Sequence, residues 1–382
     1  MVTKLKLTPL AKLVKQGLLW VSKQFGFSTL VLESAWRRQR LLILGYHGIS
    51  LNDEHHWDPS LYMHPDTLRQ RLELLRKKHC SVLPLREAVQ RLQTGTLPKR
   101  SVAITFDDGF YDFYRLAHPI LQEFGFPVTL FLSTYYSSFN RPVFDSMASY
   151  LLWMGRGQIL KFPDLSPGPL LLNDSGRDQA KRRLRAFARE YAFSGKDKDA
   201  LLAELARRLG IDYELLCLKR ILHLITHQEA SELARNGVEL QLHTHRHRVS
   251  MKREKFLREI DKNRQNILAI SGKNPSHFCY PGGVHRSEFL PWLREANVDM
   301  ATTSEPGLGT RNSEPLLLPR LLDTSQLSAT EFNAWVSGVA SFLPRRTHVM
   351  SDDQFLQEPT TDGSGANSFA VRPKRRPSAP RV

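Results

Sequence analysis

The chain has 382 residues, with 54 lysines and arginines against 38 aspartates and glutamates, a net charge of +16. Its 41% apolar and 24% charged residues are the balance of a folded globular protein, not a disordered one, and the length suits one large domain or two ordinary ones. No run reads as a transmembrane helix, and three widely spaced cysteines (Cys80, Cys217, Cys279) make neither a disulfide framework nor a paired-cysteine metal knuckle, so a cytoplasmic setting is expected.

The charge is unevenly placed. Residues 1–40 carry +7, residues 177–220 carry +5 and residues 345–382 carry +3, which leaves the rest close to neutral. The basic residues lack the interleaved aromatics of a strand-binding surface, and no nucleic-acid partner is expected.

In chain order, Lys4, Lys6, Lys12, Lys15 and Lys23 interrupt the first apolar residues, unlike a secretory signal peptide. Thr8 and Pro9 read as an N-cap and first helical position. Leu7, Leu10, Val14, Leu18, Val21 and Phe25 then share one helical face, with Lys12, Lys15 and Lys23 opposite. Such a basic amphipathic helix either lies against an anionic membrane, here at its inner face, or packs on the protein's own core.

Residues 41–44 read as a strand entering Gly45-Tyr46-His47-Gly48. Residues 65–78 read as a helix, 101–106 as a buried strand, 118–124 as a helix and 127–132 as a strand. From 140 to about 228 the alternation stops, and 146–153 and 178–235 look mostly helical, as an insertion would. Residues 238–242 read as a strand, 255–270 as a helix, 277–280 as a strand, 291–295 as a helix and 300–303 as a short strand. Alternating strands and helices predict an α/β fold with a parallel sheet or barrel. Residues 344–382 turn polar and basic, a disordered tail by composition.

Two stretches carry chemistry. Thr105-Phe106-Asp107-Asp108-Gly109 follows a buried strand. Adjacent carboxylates at a strand end are costly unless a cation or proton relieves them, although Asp-Asp-Gly is also ordinary turn chemistry. His243-Thr244-His245-Arg246-His247 follows the strand 238–242. Histidines four apart converge on one metal if that segment takes a helical turn; otherwise they form a polar surface loop. One carboxylate and two imidazoles suit zinc or another divalent first-row metal, with a position left for water.

These two motifs together resemble those of the polysaccharide deacetylases, the nodulation-protein-B-like carbohydrate esterases, over roughly residues 41–343. The resemblance implies an irregular (β/α) barrel with its site at the C-terminal strand ends. It implies Asp107 as catalytic base, and Asp108, His243 and His247 as ligands of a divalent metal, zinc being the expected ion. The family's third motif begins with an arginine that orients the base. Here the matching stretch is Cys279-Tyr280-Pro281-Gly282-Gly283, so cysteine stands in its place, and Arg320 in Leu318-Pro319-Arg320 is the candidate substitute. The Gly282 backbone N–H takes the oxyanion-stabilising role. The family's late Leu-x-His motif, which supplies the general acid, is absent. Tyr46-His47-Gly48-Ile49 instead resembles the branch that includes the biofilm poly-N-acetylglucosamine deacetylases, in which an early histidine is the acid; here that is His47. Thr302 and Thr303 are expected to pack or to support the site.

The implied reaction removes the N-acetyl group from an N-acetylated amino sugar in a bacterial glycan or its lipid-linked precursor, and releases acetate. Removal of formyl or another acyl group from a lipid- or nucleotide-linked sugar is the rival enzyme reading. A glycan-binding module with a dead site is the rival from another class, and the intact Asp-Asp and His-x-x-x-His argue against it.

Overall fold

The computed structural model describes residue 17 and residues 26–343. The expected N-terminal amphipathic helix, with its membrane contact, and the polar tail lie outside the described residues.

Eight parallel strands form one curled sheet. They are β1 (Leu42–Tyr46), β2 (Ser81–Val82), β3 (Ser101–Asp108), β4 (Thr129–Leu132), β5 (Glu239–Leu242), β6 (His277–Cys279), β7 (Met300–Thr302) and β8 (Leu321–Leu322). Their order is β7-β6-β5-β4-β3-β1-β8, with β2 beside the start of β3. The segment 318–322 links the two ends of the sheet. Leu318 bridges Thr302 of β7, and Leu321 pairs with Leu44 of β1. The sheet therefore curls into the irregular (β/α) barrel that the resemblance implied.

A parallel sheet is covered on its faces by crossover helices, so its strands read as continuous apolar runs. In β3, Val102, Ala103, Ile104 and Phe106 are all buried. The helix Pro65–Lys77 starts with proline at its first position, and His64 Nδ1 accepts the Asp66 N–H as a cap. It buries Leu68, Leu72 and Leu75 in the core that Leu42, Leu44 and Ile104 share. The helix Leu85–Thr94 and the strands β2 and β8 have no counterpart in the sequence reading. Both strands are two residues long, too short for a period to show, and exist only through their pairing.

Residues 140–228 contain the helices Phe144–Met154, Asp174–Glu190, Gly195–Arg208 and Tyr213–Leu218. A small antiparallel hairpin, Ile159–Leu160 with Leu170–Leu171, interrupts them. These helices share a core of their own around Met147, Leu151, Leu184 and Leu205. Much of the segment's basic charge is paired locally, as in Arg185 with Asp145 and Arg141 with Asp199. The returning chain docks beside the end of β3. Ile225 N–H donates to the Gly109 carbonyl, and Tyr111 N–H to the His223 carbonyl.

Candidate active site

Side chains alternate along a strand, so Asp107 and Asp108 would leave β3 on opposite faces. The backbone turns at that point. Asp108 has φ 70° and Gly109 φ 88°, in the left-handed region. Only glycine takes the second position without strain, and a Cβ there would meet Leu132 Cδ1 at 2.3 Å. The turn gives the two carboxylates separate sets of partners around one site.

Asp107 is 2% exposed. Arg320 grips it through both terminal nitrogens, Nη1 to Oδ1 and Nη2 to Oδ2, each at 2.6 Å. The same guanidinium donates to Thr105 Oγ1 and to the Thr303 carbonyl, so Thr303 supports the site through its backbone. Arg320 Nη2 also lies 3.1 Å from Cys279 Sγ, and that sulfur lies 3.5 Å from Asp107 Oδ2. The cysteine therefore sits where the third motif's side chain points, and an arginine from a distant segment completes the ion pair. Burial pushes the Asp107 pKa up, but the charges of Arg320 and His47 and the arginine hydrogen bonds outweigh it, and the group ends below the usual value. Burial holds the Cys279 thiol well above its ordinary range, hence neutral.

His47 Nε2 lies 3.5 Å from Asp107 Oδ2, with the side chain 16% exposed. Burial lowers its pKa, against the attraction of Asp107 and Asp108. A residue that the sequence reading missed fixes this loop. Asp112, fully enclosed, accepts the Ile49 N–H at 3.1 Å, and burial raises its carboxyl well above the usual range. Nothing but its spacing from Asp108 marked it.

Asp108 Oδ1 lies 3.1 Å from His243 Nε2 and 3.1 Å from His247 Nε2. The two histidines do not share a helical turn. Thr244 (φ 61°) and His247 (φ 54°) bend the loop through left-handed backbone, and their rings come to 4.9 Å. Strain of that kind persists where surroundings over-determine it, and it concentrates at functional sites. Asn263 holds the loop, accepting the His243 N–H and donating to the Leu132 carbonyl and Thr134 Oγ1. This residue also escaped notice, although a signal existed: Phe256, Ile260 and Ile267 set an apolar face on which Asn263 is the one polar member. His245 turns away and meets Thr134 Oγ1. His55 and His56 lie ring against tilted ring beside His64 and take no part.

The donor set fits a cation. The ligand atoms of Asp108, His243 and His247 lie within 4.8 Å of one another. His243 Nδ1 lies 2.9 Å from the Cys279 carbonyl, which only accepts, so that nitrogen carries the proton. In the neutral ring the Nε2 lone pair then faces the Asp108 carboxylate. Two lone-pair donors aimed at each other call for a positive charge between them, and the backbone hydrogen bond is the usual means of aiming a ligand imidazole. Asp107, His243 and Cys279 satisfy the same distance rule. Arg320 already neutralises Asp107 there, and the thiol keeps its proton, so that trio is not a metal site.

A family model described as polysaccharide deacetylase matches residues 94–150 and 205–301. Both halves of the site, Asp107-Asp108 and His243 to His247, fall inside the match. Over those residues the chain carries a polysaccharide deacetylase domain. The gap in the match, 151–204, lies within the inserted helices. A poly-β-1,6-N-acetyl-D-glucosamine N-deacetylase of Escherichia coli (strain K12) is 29% identical over 102 residues, 26% of this chain and 15% of that relative. The matched segment thus spans well under a fifth of the relative's length. A solved Streptococcus pyogenes deacetylase, in complex with acetate, superposes with a TM-score of 0.51 at 17% identity. That match covers 80% of this chain and 99% of that one, and it shows a shared fold.

Gly282 follows β6 in the turn Pro281–Gly283, with φ 62°. Among the described residues no helix is long and apolar enough to cross a membrane.

Proposed function

We propose that the chain hydrolyses the N-acetyl group of an N-acetylated amino sugar, in a glycan or its lipid-linked precursor, with a divalent metal, zinc first among candidates, held by Asp108, His243 and His247. The observation that carries this reading is the division of labour between two neighbouring carboxylates. Asp107 is paired with an arginine and a histidine, and Asp108 with two imidazole nitrogens. The name of the Escherichia coli relative supports an N-acetylglucosamine-type sugar. The charge pattern of residues 1–40 supports work at the cytoplasmic face of a membrane.

A divalent ion bound by the three ligands would lower the pKa of its water and polarise the acetamide carbonyl. Asp107 Oδ2 accepts the proton of the attacking water. Arg320 fixes the plane of that carboxylate through two parallel hydrogen bonds and keeps it ionised. The Gly282 N–H is the backbone donor assigned to the developing oxyanion. His47 delivers a proton to the leaving amine as the C–N bond breaks. Its lowered pKa makes the imidazolium a readier acid. One water is consumed, and acetate and a free amino sugar leave.

The test is acetate release from N-acetylated polymeric, lipid-linked and nucleotide-linked sugars, with and without chelator. Chelator-sensitive acetate from at least one of them is expected. Metal-loaded protein that frees formate, or nothing, would overturn the N-acetyl reading.

A further inference from the structure

A pocket of about 320 Å³ lies between the loop after β1 and the inserted helices. Trp57 comes from the single turn Glu54–Trp57, Ser149 and Trp153 from Phe144–Met154, and Arg177, Asp178 and Lys181 from Asp174–Glu190. Trp153, Arg177, Asp178 and Lys181 all fall in 151–204, the stretch that the family model leaves unmatched. The pocket is thus built largely from residues outside the family match.

Its chemistry points to one kind of ligand. Trp57 is half-buried, and its ring neighbours do not stack on it: Tyr62 is tilted by 41° and Tyr150 meets it at 67°. Neither ring stacks parallel on the indole, and Trp57 lines the pocket. Around it, the side chains of Ser149, Asp178 and Lys181 make no hydrogen bond or close ion pair among the described residues, although Lys181 feels the charges of Asp145 and Asp178, while Arg177 pairs with Asp174, Arg185 with Asp145 and Arg141 with Asp199. Burial lowers the Lys181 pKa, as for an ammonium group drawn in from solvent. Charge narrows the choice further. Asp174 and Asp178 line the same pocket as Arg177 and Lys181, so the signs cancel and a phosphate gains nothing. A pyranose combines an apolar C–H face with a rim of hydroxyls. The negative face of an indole attracts such C–H groups, and unpaired charged side chains hydrogen-bond the rim.

Its position ties it to the catalytic cluster. Trp57 touches Tyr62, with ring centroids 5.9 Å apart. Tyr62 packs so closely on Gly48, next to His47, that a Cβ there would fall 2.0 Å from its ring. One aromatic ring separates Trp57 from the loop of the proposed general acid. We propose that this pocket is an outer subsite for a neutral pyranose unit of the substrate, so that the preferred substrate is an oligosaccharide or polymer and not a single sugar. This inference rests on the deacetylase reading above.

The experiment compares the metal-loaded full chain with its Trp57→Ala and Lys181→Met variants on β-linked N-acetylglucosamine oligomers, from disaccharide to hexasaccharide. Acetate release gives KM, and calorimetry gives binding of the same oligomers to chelator-treated protein, independently of turnover. In each variant KM for the hexasaccharide should rise about tenfold more than KM for the disaccharide, with a matching loss of hexasaccharide binding. Trp57→Phe, which keeps an aromatic face, should restore most of it. Equal effects at every length, no effect, or displacement of the hexasaccharide by inorganic pyrophosphate would overturn the subsite. Hexasaccharide binding that depends on Trp57 without any acetate release would sink the deacetylase reading and leave the subsite standing. Acetate release indifferent to Trp57 would do the reverse.

Discussion

Arg320 holds Asp107 by both carboxylate oxygens across 213 positions of sequence. Both side chains are almost wholly buried, at 1% and 2% exposure. Removing one member of such a pair leaves an uncompensated buried charge, which costs about 3–5 kcal/mol. Arg320→Met should therefore lower the urea midpoint sharply and cut kcat about 100-fold through misplacement of the base. Adding Asp107→Asn to that variant should recover most of the stability and none of the activity. Equal stability of the single and double variants would show that the pair does not set the cost.

The two carboxylates should separate in a metal assay. Asp108→Ala and His247→Ala are expected to lose bound metal and acetate release together, because each removes one of three ligand atoms that converge within 4.8 Å. Asp107→Asn should retain metal close to one equivalent by elemental analysis, with turnover reduced about 1,000-fold, the scale of a lost general base. An active Asp107→Asn enzyme would move the base elsewhere.

A general acid matters in proportion to how poor the leaving group is. His47→Gln should slow release of acetate from an N-acetyl sugar about 100-fold or more. It should barely affect an activated aryl acetate, whose phenolate leaves without a proton. Equal losses on both substrates would assign His47 a positioning role. Since Asp112 anchors the same loop through Ile49, Asp112→Ala should show a milder version of the amide-specific defect.

His223 supplies a stability prediction away from the site. It is buried within the chain that returns from the insertion, and its Nδ1–H donates to the Ile221 carbonyl at 3.0 Å. Burial lowers its pKa to about 4, below an ordinary histidine near 6.5. The unfolded chain then binds more protons between those values. Stability is present in full above pH 6.5 and lost as pH falls through 4, by about 3 kcal/mol from this residue. Urea unfolding of metal-free protein should show the loss, and His223→Gln should flatten it between pH 6.5 and 4. A slope unchanged in the variant would assign the acid lability elsewhere.

How much the sequence disclosed differs from residue to residue. Asp107 and Asp108 were visible at the end of a buried apolar strand, but only the histidine pair at 243 and 247 lifted them above ordinary Asp-Asp-Gly turn chemistry. His243 and His247 were visible by spacing, but the turn that joins them was misjudged. Histidines four apart suit a helix, whereas this loop reaches the same convergence through left-handed backbone at Thr244 and His247, supported by Asn263. Arg320 could be nominated only because an expected arginine was missing at Cys279.

The sequence by itself determined the strand-and-helix alternation, the family and the ligand types, because periodicity and short motifs are local properties of the chain. Tertiary structure alone decided which arginine meets Asp107, since that depends on a two-residue strand, β8, pairing with β1 and carrying Arg320 to the buried end of β3. It also decided that the insertion, read from sequence as extra helices, brings Lys181 and Asp178 to face Trp57 across a pocket. No local pattern encodes such meetings. They follow from the register of the sheet and from how two cores pack.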